Sequence, residues 1–155
     1  MPSGDKAKLA AVPPDAAHEG RYVLDAQIGF LLRVTMQRHT SIFMSQMVEG
    51  LTQTQFAALA KLHEVGPCSQ NHLGRLIYLD AATIKGVVDR LALRGFVTAM
   101  SDPNDRRRRA VALTKRGQQA TEDAMKVAAR ITADTLAPLS ADERRQVLAL
   151  LDRLS

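Results

Sequence analysis

The chain has 155 residues, 46% of them hydrophobic and 24% charged, with a formal net charge of +5. That is enough for one domain with a continuous core, and its longest uncharged run, Gly50 to Ala60, falls well short of the roughly 20 apolar residues of a membrane helix. A lone cysteine, Cys68, rules out an internal disulfide and a cysteine-rich metal site, and His18, His39, His63 and His72 include no pair at metal-binding spacing.

The charge is unevenly placed. Residues 61–117 hold eleven basic and five acidic side chains, a surplus of six, while the flanking stretches are balanced or slightly acidic. A basic block inside a foldable segment points to a polyanion-binding face, although a solvated surface would have the same composition.

Residues 1–20, rich in Ala, Pro and Gly, read as a loose extension. Val12-Pro13-Pro14 blocks a helix there, and no apolar stretch of a secretory signal follows Asp5, Lys6 and Lys8, so a cytoplasmic chain is expected. From Tyr22, Leu24, Ile28, Leu31, Leu32, Thr35, His39, Ile42 and Phe43 recur at spacings of three and four, which predicts one helix to about Val48, closed by Gly50. Thr52 and Gln55 form a capping box before a second helix that buries Phe56, Leu59, Leu62 and His63 and ends at Gly66-Pro67. Ser69 caps a short helix through His72, Leu73 and Leu76. Asp80 caps the next, Ala81 to Arg94, with Ile84, Val87, Val88 and Leu91 inward and Gly95 as the stop.

The period then changes. Phe96 to Met100 and Arg109 to Leu113 read as two strands joined by Ser101-Asp102-Pro103-Asn104-Asp105 and three arginines, a hairpin with a basic tip. Thr114 caps a helix to about Leu136, and Ser140 with Glu143 makes a second capping box for a last helix through Val147, Leu148, Leu150, Leu151 and Leu154.

Two short helices with a tight connection, followed by a basic hairpin, describe a winged helix-turn-helix, and the major groove admits one such helix. The helix opened by Asp80 has small or polar outward positions: Ala81, Ala82, Thr83, Lys85 and Gly86. Thr83 can donate to a phosphate or offer its methyl to thymine, and Lys85 can reach guanine or a phosphate. Four consecutive arginines repel one another unless an anion compensates, and a narrow minor groove is such an anion. Asp105 is expected to pair with Arg107, leaving Arg106 or Arg108 for the groove. The expected DNA-binding set is Ser69, Gln70, Ala82, Thr83, Lys85, Arg90, Arg106, Arg107 and Arg108.

From about Tyr22 to Leu154 the chain resembles the MarR family of bacterial transcriptional regulators. The residues that carry the resemblance are Leu79 to Leu91, then Arg94-Gly95-Phe96-Val97, Asp102 to Arg107, and Leu113 to Gly117. Gly86 departs from the family, which often has a larger polar residue there. The resemblance implies a mainly α fold: a single domain over 21–155, with a winged helix-turn-helix at about 52–114. Helices at about 21–49 and 115–154 would intertwine in a homodimer that binds a pseudo-palindromic operator in double-stranded DNA. The apolar residues of the last helices, more than one small monomer would cover, fit that expectation.

Family members of this kind usually leave DNA when a small molecule, often an aromatic carboxylate, binds between the dimer helices and the winged domain. His39 and His63 lie on inward faces and need partners, which a ligand or the protein itself could supply. Arg33, Arg38 and Tyr78 complete the expected ligand set, with Arg75 as a further cation, and surface exposure explains the arginines equally well. The segment Asp25 to Arg33 with Gln37-Arg38-His39 looks like the subgroup controlling degradation of aromatic acids, hydroxynicotinates included. Cys68 precedes a helix N-terminus that could lower its pKa, although peroxide-sensing relatives carry their cysteine in the first helix. No cofactor is expected, and no nucleophile elbow, phosphate loop or metal motif indicates an enzyme. The alternative to a ligand-responsive repressor is a winged-helix architectural or protein-interaction protein that senses no ligand.

Overall fold

The computed structural model describes residues 22–155, so the expected extension at 1–20 lies outside the described residues. The elements are α1 (Ile28–Gln46), α2 (Gln53–Val65), α3 (Gln70–Leu76), α4 (Ala81–Leu93), β1 (Val97–Ser101), β2 (Arg109–Leu113), α5 (Lys115–Thr135) and α6 (Ala141–Asp152). The chain divides between Thr40 and Ser41 into two compact units, a boundary that falls inside α1.

In the first unit a short 3-10 turn, Leu24–Ala26, precedes α1. The long helix expected from Tyr22 therefore starts later. Gln27 takes extended dihedrals and its side chain donates to the Val23 carbonyl at 3.1 Å, a local bond that competes with helix formation. The apolar side chains of this unit, Ile28, Leu31, Leu32, Val34 and Met36, are exposed in the single chain, and His39 is half-buried.

In the second unit α1 stops at Gln46 rather than running to Val48. Met47 is extended and nine-tenths buried, and Glu49 adopts φ 57 in a 3-10 turn before Gly50 at φ 58. The caps form as expected. Thr52 with Gln55 and Ser140 with Glu143 are reciprocal capping boxes, and Ser69, Asp80 and Thr114 each accept an amide bond from the residue three ahead. Leu51, Leu59 and Leu62 pack with Leu73, Ile84, Val87, Leu91, Phe96 and Ile131 in one core. At roughly 25 cal/mol per Å2 of apolar surface, that core supplies the dominant stabilisation.

β1 and β2 pair antiparallel from Val97↔Leu113 to Ser101↔Arg109. Phe96, expected in the strand, instead sits before it with its ring fully buried. On its other side β2 meets Cys68 in an isolated bridge: the Cys68 amide donates to Val111 O at 3.2 Å and the Val111 amide returns a bond at 2.8 Å. Lys115 to Leu136 was the expected span of α5, and Leu136 is its C-cap.

Where the strands meet α5, two glycines permit close approach. Gly95 at φ 75 turns the chain out of α4, and the Phe96 carbonyl oxygen lies only 1.8 Å from where a Cβ on Gly117 would stand. The Thr114 hydroxyl donates to Gly95 O at 2.6 Å while accepting the Gly117 amide at 2.9 Å. Arg94 and Arg116 both stack on Phe96, with Cζ 4.7 and 4.8 Å from the ring centroid, and both approach the Glu49 carboxylate. Arg94 also donates to the Glu49 carbonyl. These contacts fasten the turn after α1 to the end of α4 and the start of α5.

Candidate nucleic-acid interface

The turn between α3 and α4 is tight because Gly74 lets two backbones touch. A Cβ there would stand 3.0 Å from Ile84 Cγ2 and 3.1 Å from Leu79 O. Tyr78 takes φ 57 to complete the turn and is 88% exposed. Ile84, Val87, Val88 and Leu91 turn α4's apolar stripe into the core, so Ala81, Ala82, Thr83, Lys85, Asp89 and Arg90 face outward and Gly86 is half-buried.

Asp80 holds the start of α4 with both carboxylate oxygens. Oδ1 accepts the Thr83 amide at 2.8 Å and Oδ2 accepts the Thr83 hydroxyl at 2.8 Å. The hydroxyl proton expected for a phosphate is thus committed to the cap, and the Thr83 methyl remains for thymine. The Thr83 backbone bond, then its side-chain bond, lowers the Asp80 carboxyl below its ordinary value. A folded-state pKa below the unfolded one adds stability above the ordinary carboxylate range, and that stability disappears as pH falls through the folded value. The difference in Tm between wild type and Asp80→Ala, followed by circular dichroism, is therefore expected to be full at neutral pH and to close below about pH 4.

The wing tip is built by its aspartates. Asp102 Oδ1 accepts the Asn104 amide at 2.8 Å, the Asp105 amide closes the turn on Asp102 O at 3.3 Å, and the Arg108 amide donates to Asp105 O at 2.9 Å. Pro103 thus sits where a type I turn accepts it. The expected Asp105–Arg107 ion pair does not form. Asp105 takes the Arg107 backbone amide at 3.0 Å, and its side-chain partner is Arg108, Nε to Oδ2 at 3.5 Å. Asp105 thus spends one carboxylate oxygen on the Arg107 backbone and the other on the Arg108 side chain. Arg106 and Arg107 are the exposed tip cations outside any ion pair among the described residues.

The structure gathers Ala82, Thr83, Lys85 and Arg90 on the outward face of one helix and Arg106, Arg107 and Arg108 at one hairpin end. Ser69 is occupied as the α3 cap, bonded to the His72 amide at 3.2 Å, and Gln70 is half-buried beside it. Sequence reasoning missed the Asp89 carboxylate, 2.6 Å from Lys85 Nζ, although the spacing of four signals it. It also missed the anchoring of α4 through Arg94, for which local sequence holds no sign.

The expected ligand residues lie in both units. Arg33 stacks on Phe30, its Cζ 5.1 Å from the ring centroid, and Arg38 is exposed. His63 is half-buried with Nε2 3.8 Å from Glu122 Oε1 on α5. Tyr78 stands on the helix-turn-helix corner. The helix N-terminus that could lower the Cys68 pKa does not do so, in keeping with an ordinary small side chain. Burial raises it, and the Asp102 charge raises it further.

A reading helix capped by aspartate, locked to a second helix through a glycine contact and flanked by an arginine-tipped hairpin, defines the winged helix-turn-helix class of DNA-binding proteins. The MarR family profile matches residues 51–108. The HTH-type transcriptional repressor NicR of Pseudomonas putida is 39% identical over 134 residues, covering 86% of this chain and 85% of that protein. The protein therefore belongs to the MarR family and is a DNA-binding transcriptional regulator. Among solved structures, a probable transcriptional regulator from Pseudomonas aeruginosa is similar with TM-score 0.82 and 48% identity, covering 86% of this chain and all of that one. Bordetella bronchiseptica BpsR, whose DNA binding is regulated by 6-hydroxynicotinic acid, has TM-score 0.81 and 35% identity, covering 87% and 97%. No described helix is long and apolar enough to cross a membrane.

Proposed function

We propose that the protein is a cytoplasmic homodimeric repressor that holds a pseudo-palindromic operator and leaves it when a small aromatic carboxylate binds. Its non-enzymatic role rests on relatives that are transcriptional regulators. The observation that carries the DNA contact is that Arg106 and Arg107, in no ion pair among the described residues, stand exposed at the end of the same hairpin that packs on α4. The dimer is supported by apolar side chains left exposed among the described residues, Leu148, Leu150 and Leu151 of α6, Leu154 just after it, and Ile28, Leu31 and Leu32 of α1. A second copy would cover them and set two half-sites about one helical turn apart.

The effector reading rests on NicR and BpsR together with the side chains available. Arg33 and Arg38 supply charge for a carboxylate, while Glu122 beside His63 makes that histidine the better partner for a hydroxyl or ring nitrogen. His39 and Tyr78 complete the polar set. The test is a melting scan with benzoic, hydroxybenzoic and hydroxynicotinic acids. An effector at a hundred times its Kd adds about 2.7 kcal/mol, a rise in Tm of several degrees that His39→Ala and His63→Ala diminish. No shift with any acid makes the protein a winged helix without a sensor.

A further inference from the structure

The exposed charges of α4 and its N-cap are Asp80, Lys85, Asp89 and Arg90, and they cancel. A reading helix gains affinity for any duplex by setting cations on phosphates, so this one starts without a net electrostatic claim on DNA. Its two cations are held differently. Lys85 Nζ lies 2.6 Å from Asp89 Oδ2, with both side chains more than half exposed on the face that would meet the groove. Arg90 is in no ion pair among the described residues. Its guanidinium folds back over Gly86, whose Cβ, if present, would stand 3.5 to 3.8 Å from the Arg90 guanidinium atoms. The Arg90 charge thus lies one turn toward the N-terminal end of α4.

We propose that Asp89 is a specificity-determining residue: it withholds the Lys85 ammonium from phosphates, so that arbitrary duplexes meet only Arg90 on this helix. A phosphate must compete with a carboxylate already in place, and Asp89 repels it. The edge of a guanine offers two acceptors, O6 and N7, and no full charge to repel, so Lys85 exchanges Asp89 for a base edge. This inference rests on α4 being the DNA-reading helix.

The experiment compares wild type, Asp89→Asn and Asp89→Asn/Lys85→Gln on two probes. One is the duplex that the wild-type protein enriches from a random-sequence pool, and the other is a scrambled duplex of the same composition. Fluorescence anisotropy is read over a salt series. Asp89→Asn is expected to tighten scrambled-DNA binding about threefold to tenfold and steepen its salt slope by about 0.9 for each subunit on the DNA, the mark of one further phosphate neutralised per subunit. Affinity for the selected duplex is expected to change less than scrambled-DNA affinity, so the discrimination ratio falls. In the double variant the slope gain is lost. An unchanged slope and ratio in Asp89→Asn overturns the proposal, as does a gain that survives the removal of Lys85. If the wild-type protein enriches no duplex and retards no DNA at low salt, the DNA-reading role of α4 falls and takes the proposal with it.

Discussion

Gly117→Ala is expected to unfold the protein or to lower its stability by more than about 4 kcal/mol. Two effects oppose each other at this site. Alanine is the better helix former, by about 1 kcal/mol, and Gly117 lies in the first turn of α5, where that gain would apply. Against it, the new Cβ would stand 1.8 Å from the Phe96 carbonyl oxygen and 2.8 Å from its carbon. These are backbone atoms, and no rotamer relieves the overlap. The carbonyl is also held from three sides: it accepts the Thr114 amide at 3.0 Å, the Thr114 hydroxyl approaches at 3.3 Å, and the Phe96 ring is fully buried. The clash therefore wins, by an amount comparable with a large part of a domain's total stability. Thermal melting and soluble yield read the result. Gly86→Ala is the control, because its Cβ meets only a movable guanidinium at ordinary contact distance. Equal melting of wild type and Gly117→Ala would show that the strand and helix are not as closely apposed as described.

Arg106→Ala/Arg107→Ala is expected to weaken DNA binding by about a hundredfold near 0.1 M salt, on the order of 2.7 kcal/mol, and to reduce the salt slope by close to 2 for each subunit bound. The stability of the fold should barely move. Both side chains are exposed and outside any ion pair among the described residues, and the tip is shaped by Asp102 and Asp105 accepting backbone amides. Arg108 stays in place on Asp105 and marks the difference between a tip that is folded and one that binds. Anisotropy titrations on genomic fragments, with melting curves on the same samples, separate the two quantities. Unaltered affinity at moderate salt would remove the hairpin from DNA recognition.

Most of the fold was legible because its signals are local. Thr52 with Gln55, Ser69, Asp80, Thr114 and Ser140 with Glu143 each declare a helix start within four residues of chain, and each cap is made. The inward set of α4 followed from its period. What failed to show was decided by distant or competing contacts. The ends of α1 depend on Gln27 bonding backward and on Met47 burying itself, neither of which interrupts the spacing of apolar residues. The partner of Asp105 was set by the fold of the turn, which brings the Arg107 amide to one carboxylate oxygen and the Arg108 guanidinium to the other. The need for glycine at 117 comes from a strand that begins twenty residues earlier. For Cys68 a nearby helix start left room for a reactive thiolate, and burial instead favours the ordinary small side chain that was the main reading. The effector residues were readable only as polar side chains on apolar faces, a pattern that names no occupant.

The reciprocal amide bonds between Cys68 and Val111 bear on how DNA is held. A protein that grips a duplex with a rod and a lever must set the angle between them. Here the lever's root is pinned to the segment that opens the helix pair, on the side away from its companion strand. The pivot therefore lies in the few residues around Pro103, and any aim error at the arginines must arise there or be built in at Cys68. A change in the quiet loop before α3 is therefore expected to shift the hairpin tip without altering any of its arginines.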